Sequence, residues 1–150
     1  MMIYKNIEIH NVANEISLNE GGVRYLRIPE AVYTKLDTDQ GRNMARGSTG
    51  VELRFVMIDD EVKINIQSLS DTNLLTSFQV FFGDIQGGWE CHEVDKFIPA
   101  TPYEIVIKKP KNFEVLRRMA KEASSEWSPE VVRVIFNLGE YRIMDVSGAI

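Results

Sequence analysis

The sequence predicts an all-β fold, an antiparallel β-sandwich or barrel, on three observations. Two-residue alternation runs through 51–57 and 62–68: Val51, Leu53, Phe55 and Met57 share a face against Glu52 and Arg54, while Val62, Ile64 and Ile66 oppose Lys63, Asn65 and Gln67. The run VVRVIFN at 131–137 is almost solidly β-branched and apolar, Leu138-Gly139 can turn, and EYRIMDV at 140–146 follows as a further strand. Finally, most of the β segments are short and separated by turn residues rather than by long helices.

In chain order the expected strands are 3–9, 23–28, 51–57, 62–68, 76–82, 88–94, 103–107, 131–137 and 140–146. The pairs 51–57/62–68 and 131–137/140–146 are read as hairpins, the first turning on Asp59-Asp60-Glu61, whose short acidic side chains tolerate turn backbone and stay in water. Two helices interrupt them. Pro29 suits a first helical position and starts 29–36. The second, 112–123, has Asn112 as its cap and Phe113, Leu116, Met119, Ala120 and Ala123 along one face. No repeat, low-complexity tract or linker divides the chain, so 1–150 reads as a single domain, long enough to bury roughly 70% of the surface its unfolded form exposes.

Composition narrows the function. Acidic residues outnumber Lys and Arg by 22 to 17, and the basic residues are scattered among acids; nucleic-acid binding, which draws most of its affinity from neutralising phosphates, is not expected. One cysteine, Cys91, forms no internal disulfide, and with only His10 and His92 beside it no structural zinc pattern is present, so neither metal nor cofactor is expected. MMIYKNIEIHN lacks the continuous apolar core of a signal peptide, and no run approaches the ~20 residues of a membrane span. The expected location is the cytoplasm.

No catalytic residue is legible. Phe82-Gly83-Asp84-Ile85 is similar to the Gly-Asp-Ser-Leu nucleophile motif, but Ile85 occupies the position that must supply a hydroxyl. Cys91 and His92 are adjacent on an expected strand and point to opposite faces, which makes them a poor nucleophile–base couple. Binding residues are easier to nominate. Trp89 and Trp127 offer planar faces for stacking on sugar rings, with Arg54 and Gln67 as polar partners, although Trp and Tyr at strand starts also seal the ends of a sandwich. Arg133 sits inside an apolar strand, where a guanidinium needs a carboxylate or carbonyls to offset its desolvation.

Three segments carry a family resemblance: RNMARGSTGVELRF (42–55), KPKNFEVLRRMAKEASSEWSPEVVRVIF (109–136) and YRIMDVSGAI (141–150). In that order and spacing they resemble the N-terminal β-sandwich domain, similar to carbohydrate-binding modules, of bacterial SGNH (GDSL-type) hydrolases and acyltransferases. Most of the likeness lies in the pattern from Arg46 to Phe55 and in Ser-Pro-Glu-Val-Val-Arg-Val at 128–134. The resemblance implies a jelly-roll sandwich followed in the same polypeptide by a catalytic domain, none of whose Gly-x-Ser or Asp-x-x-His blocks occurs here. It implies a non-catalytic accessory domain that packs on the hydrolase and helps present an acylated sugar or glycosylated substrate. Arg133 and Tyr141 then fall near the junction, and Arg133→Ala is expected to disturb a longer enzyme more than the domain itself. The alternatives are a stand-alone carbohydrate-binding module and a scaffold or oligomerisation domain whose edge strands pair with another copy.

Overall fold

In the computed structural model, which describes residues 1–69, 76–86 and 97–149, the chain runs through β1 (Met2–Tyr4), β2 (Ile7–His10), β3 (Asn14–Ser17), β4 (Val23–Leu26), α1 (Glu30–Tyr33), α2 (Asp39–Arg46), β5 (Glu52–Val56), β6 (Glu61–Ser68), β7 (Thr76–Phe82), β8 (Ile85–Gln86), β9 (Phe97–Ile98), β10 (Tyr103–Lys108), α3 (Phe113–Glu122), β11 (Val131–Leu138) and β12 (Tyr141–Ser147). The strands form two antiparallel sheets. Sheet 1 has the order β1-β2-β5-β11-β7-β8, with β9 also on β7; sheet 2 has the order β10-β6-β12-β4-β3. Within them, β5-β11-β7-β9 and β4-β12-β6-β10 are the two four-stranded sheets of a jelly roll, to which β1, β2 and β3 add edge strands.

Alternation builds the core. Ile7, Ile9, Leu53, Phe55, Val80, Phe82, Val132, Val134 and Phe136 point inward from sheet 1, against Val23, Tyr25, Val62, Ile64, Ile66, Ile105, Ile107, Tyr141 and Ile143 from sheet 2. Each large apolar side chain buried this way contributes about 1.5–3 kcal/mol, so the two facing layers hold the sandwich together.

Neither expected hairpin forms. β5 pairs with β2 and β11 while β6 pairs with β10 and β12, and β11 pairs with β5 and β7 while β12 pairs with β6 and β4. Both connections are arches that carry the chain from one sheet to the other. An apolar alternating face is buried against the opposite layer whichever strand pairs beside it, so alternation alone does not distinguish a hairpin from an arch. The second arch turns at Gly139, whose φ is +91° and where an added Cβ would lie 2.8 Å from Thr76 Cα. Only glycine fits that approach.

Other differences are smaller. The expected strand 3–9 is two strands, because Lys5 adopts φ +50° and turns the chain back on itself. Pro29 caps α1 instead of starting it, and α1 is a single turn. Among the described residues three short helices stand where one or two were expected. The addition, α2, is capped by Thr38, whose Oγ1 accepts from Gly41 N at 3.0 Å, and its run DQGRNMAR has too few apolar residues to show a helical stripe. In α3, Phe113, Leu116 and Ala120 face the core, while Met119 and Ala123 lie outside the stripe; Asn112 makes no side-chain cap. The expected strand 88–94, with Trp89, Cys91 and His92, lies outside the described residues. Among the described residues no helix is long and apolar enough to cross a membrane.

Candidate functional site

The outer face of sheet 1 gathers most of the chemistry. Register places Glu8, Arg54, Arg133 and Phe81 in one row across β2, β5, β11 and β7, and His10, Glu52, Ile135 and Gln79 in the next. Two arginines directly opposite one another repel. Glu52 resolves the repulsion: its Oε1 accepts from Arg54 Nε at 2.7 Å and from Arg133 Nε at 2.5 Å, and its Oε2 accepts from Arg133 Nη2 at 3.4 Å. Arg133 Nη1 also donates to the Gly83 carbonyl at 3.2 Å and lies 3.6 Å from Asp84 Oδ1.

Although it projects away from the core, Glu52 is only 5% exposed: the guanidiniums of Arg54 and Arg133 bind it, and Trp127 lies over both. Burial alone pushes its carboxyl pKa up. Hydrogen bonds from Arg54 and Arg133 outweigh that and hold it below the ordinary glutamate value. At one end of the cluster His10 Nε2 sits 2.8 Å from Glu8 Oε2 and 3.5 Å from Arg54 Nη1.

Trp127 roofs the cluster. Its ring centroid lies 4.4 Å from Arg54 Cζ and 4.9 Å from Arg133 Cζ, within cation–π range of both. The loop that carries it, between α3 and β11, is fastened to the turn between β7 and β8: Trp127 N donates to Asp84 Oδ2 at 3.1 Å and Gly83 N to the Val131 carbonyl at 2.8 Å. Gly83 has φ +64°, and a Cβ there would meet the Trp127 carbonyl at 2.7 Å. The Gly-Asp pair that is similar to a nucleophile motif is therefore structural: glycine admits the loop and aspartate holds it.

Beside Trp127 lies an open groove of about 520 Å³, lined by Ile3, Val56 and Val131 and by the polar Lys5, Asn6, Glu8 and Arg54. Lys5 is ion-paired with Asp145 and Glu8 is hydrogen-bonded to His10, so the groove is apolar along its length and carries partnered polar groups at its rim. Its side chains offer stacking, apolar contact and hydrogen bonds.

Of the nominated residues, the fold brings Trp127, Arg54 and Arg133 together. Gln67 is on β6, on the outer face of sheet 2, where its Oε1 accepts from Arg142 Nη2 at 2.6 Å and its Nε2 donates to the Ala100 carbonyl. It shares no surface with Arg54. Tyr141 faces the core, is 4% exposed and stacks on Phe136 with ring centroids 4.0 Å apart; burial raises its phenol pKa well above the ordinary value. It therefore has no surface to offer a neighbouring domain. Arg133 finds its partners, Glu52, Gly83 and Asp84, within this domain. Sequence reasoning missed Glu52 as the hub. The available signal was its i, i+2 spacing from Arg54, which puts both on one face of a strand.

The fold and site define a jelly-roll sandwich with a tryptophan-roofed charge cluster on one outer face. No family model matches the sequence, and neither does any curated protein. Among solved structures, the fold matches the salicylyl-acyltransferase SsfX3 from a tetracycline biosynthetic pathway with a TM-score of 0.63 and 10% identity, covering 97% of this chain and 38% of that one. At that identity the likeness is one of fold, and the chain spans 38% of the length of the protein it matches.

Proposed function

We propose that the chain is a non-catalytic N-terminal accessory domain of an SGNH-type esterase or acyltransferase, cytoplasmic, which packs on the catalytic domain and helps present an acylated sugar or glycosylated substrate. The observation that carries the reading is coverage: nearly the whole chain has the fold of a part of an acyltransferase less than half that protein's length. A second observation supports it. The two runs with most of the family resemblance, Arg46–Phe55 and Ser128–Val134, lie side by side through the β5–β11 pairing, and with Trp127 they form the roofed cluster.

The test is to treat the protein translated from its whole reading frame with a fluorophosphonate and map the labelled serine. A label C-terminal to residue 150 is expected. A label within 1–150 overturns the proposal.

The groove beside Trp127 favours a second reading, a stand-alone carbohydrate-binding module. Stacking on one indole gives weak binding, typically micromolar to millimolar, so titration with a broad glycan panel should quench or shift tryptophan fluorescence in that range. No response across the panel counts against it.

A further inference from the structure

The apolar corner of sheet 1 has properties that a ligand groove alone does not require. Ile3 is 62% exposed, Val56 39% and Ile58 59%. Ile3 stands across β2 from Arg54, Val56 is two residues beyond Arg54 and opposite Val131, and Ile58 continues the same face past the end of β5. The segment after β12 reaches this corner. Ala149 forms an isolated antiparallel bridge with Met57, its carbonyl accepts from Asn6 Nδ2 at 3.3 Å, and the Gly148 carbonyl accepts from Ile58 N at 3.0 Å. Asn6 itself lines the groove. Residue 149 is thus pinned at the rim of an exposed aliphatic patch.

We propose that this corner, centred on Ile3, Val56 and Ile58, is the surface on which the catalytic domain docks in cis; the inference rests on the accessory-domain reading above. Three arguments favour that occupant. A polypeptide continuing from Ala149 meets the patch at once, without crossing the sandwich. Branched aliphatic side chains complement the apolar surface of another domain, whereas a sugar needs planar faces and many hydrogen bonds, and of the two aromatic side chains lining the groove, Trp127 and Phe55, Phe55 is buried in the core. The charge cluster beside it on the same face is held by its own ion pairs, Arg54 and Arg133 both on Glu52, so it borders the patch without needing a partner's carboxylate.

The experiment places a photo-crosslinking benzoylphenylalanine at Val56 in the protein translated from its whole reading frame, and compares the double variant Ile3→Asp/Val56→Asp in the same protein. Both side chains project outward, and the circular dichroism of the 1–150 chain carrying the same changes reports whether the sandwich is kept. The expected results are an intrachain adduct to a peptide C-terminal to residue 150 and about a tenfold loss of kcat/KM in the double variant, with the sandwich intact. Adducts only to a second copy, no protein adduct, or unchanged kcat/KM overturn the inference. If fluorophosphonate labels no serine beyond residue 150, the accessory-domain reading fails and the docking site fails with it. If it does label one but Val56 yields no intrachain adduct, only the docking site fails.

Discussion

Arg54, Arg133 and Glu52 form one unit, and each depends on the other two. Glu52→Gln leaves two guanidiniums facing each other across β5 and β11, with a neutral amide between them. The expected cost is about 3 kcal/mol, the low end for breaking a buried pair from one side, because the two arginines keep some contact with water. Because both arginines share one carboxylate, Arg54→Ala and Arg133→Ala should be non-additive, with a coupling of about 0.5–3 kcal/mol in a denaturant double-mutant cycle. Arg133→Ala on this account destabilises the isolated domain directly, contrary to the expectation from sequence that its effect is chiefly on a longer enzyme. The pH dependence follows from the direction of the Glu52 shift. Its folded pKa is depressed, so the cluster contributes stability above the unfolded glutamate value, about 4.3, and loses it as pH falls below that through the folded pKa. Glu52→Gln should therefore flatten the acid limb of the stability profile measured by thermal melts between pH 3 and pH 7. The need of Arg133 for a carboxylate was legible in the sequence. The identity of that carboxylate was not, because Glu52 is 81 residues away and only the β5–β11 register brings it near.

Strands were the most legible elements, and their partners the least. The alternating segments form strands within a residue or two of where the pattern places them, since a half-buried face needs period two whichever strand lies beside it. Pairing depends on whether a short connection turns within a sheet or arches over the core, and Asp59-Asp60 and Leu138-Gly139 are compatible with both. The arch at Gly139 leads to a specific expectation. Gly139→Ala forces a Cβ against Thr76 and strains a residue at φ +91°, so it should lower stability by about 3 kcal/mol or more, read as a fall of several degrees in Tm. α3 offers a second check. Phe113 is 8% exposed and packs among Met57, Phe82, Pro129 and Val132, with Lys109 and Arg117 near its ring face. Phe113→Ala should cost about 3 kcal/mol, whereas Met119→Ala, on the exposed side of the same helix, should change the midpoint of urea unfolding little. The polar α2 escaped notice because capping at Thr38 and an acid-to-base gradient, not an apolar stripe, define it.

At the scale of the whole molecule, the jelly roll joins the regions that matter: the roofed charge cluster, the groove beside it and the rim where residue 149 is held all lie on sheet 1. The candidate site was partly legible, in that Trp127, Arg54 and Arg133 were nominated and the fold assembles them. Gln67 was nominated on polarity alone and belongs to the opposite sheet. We propose that this domain assists acyl chemistry carried out elsewhere in the same polypeptide. The most direct test is hydrolysis of a simple aryl acetate by the purified 1–150 chain, with and without prior serine modification. Both samples are expected to show a rate indistinguishable from buffer. A rate well above buffer that is lost on serine modification would contradict the proposal.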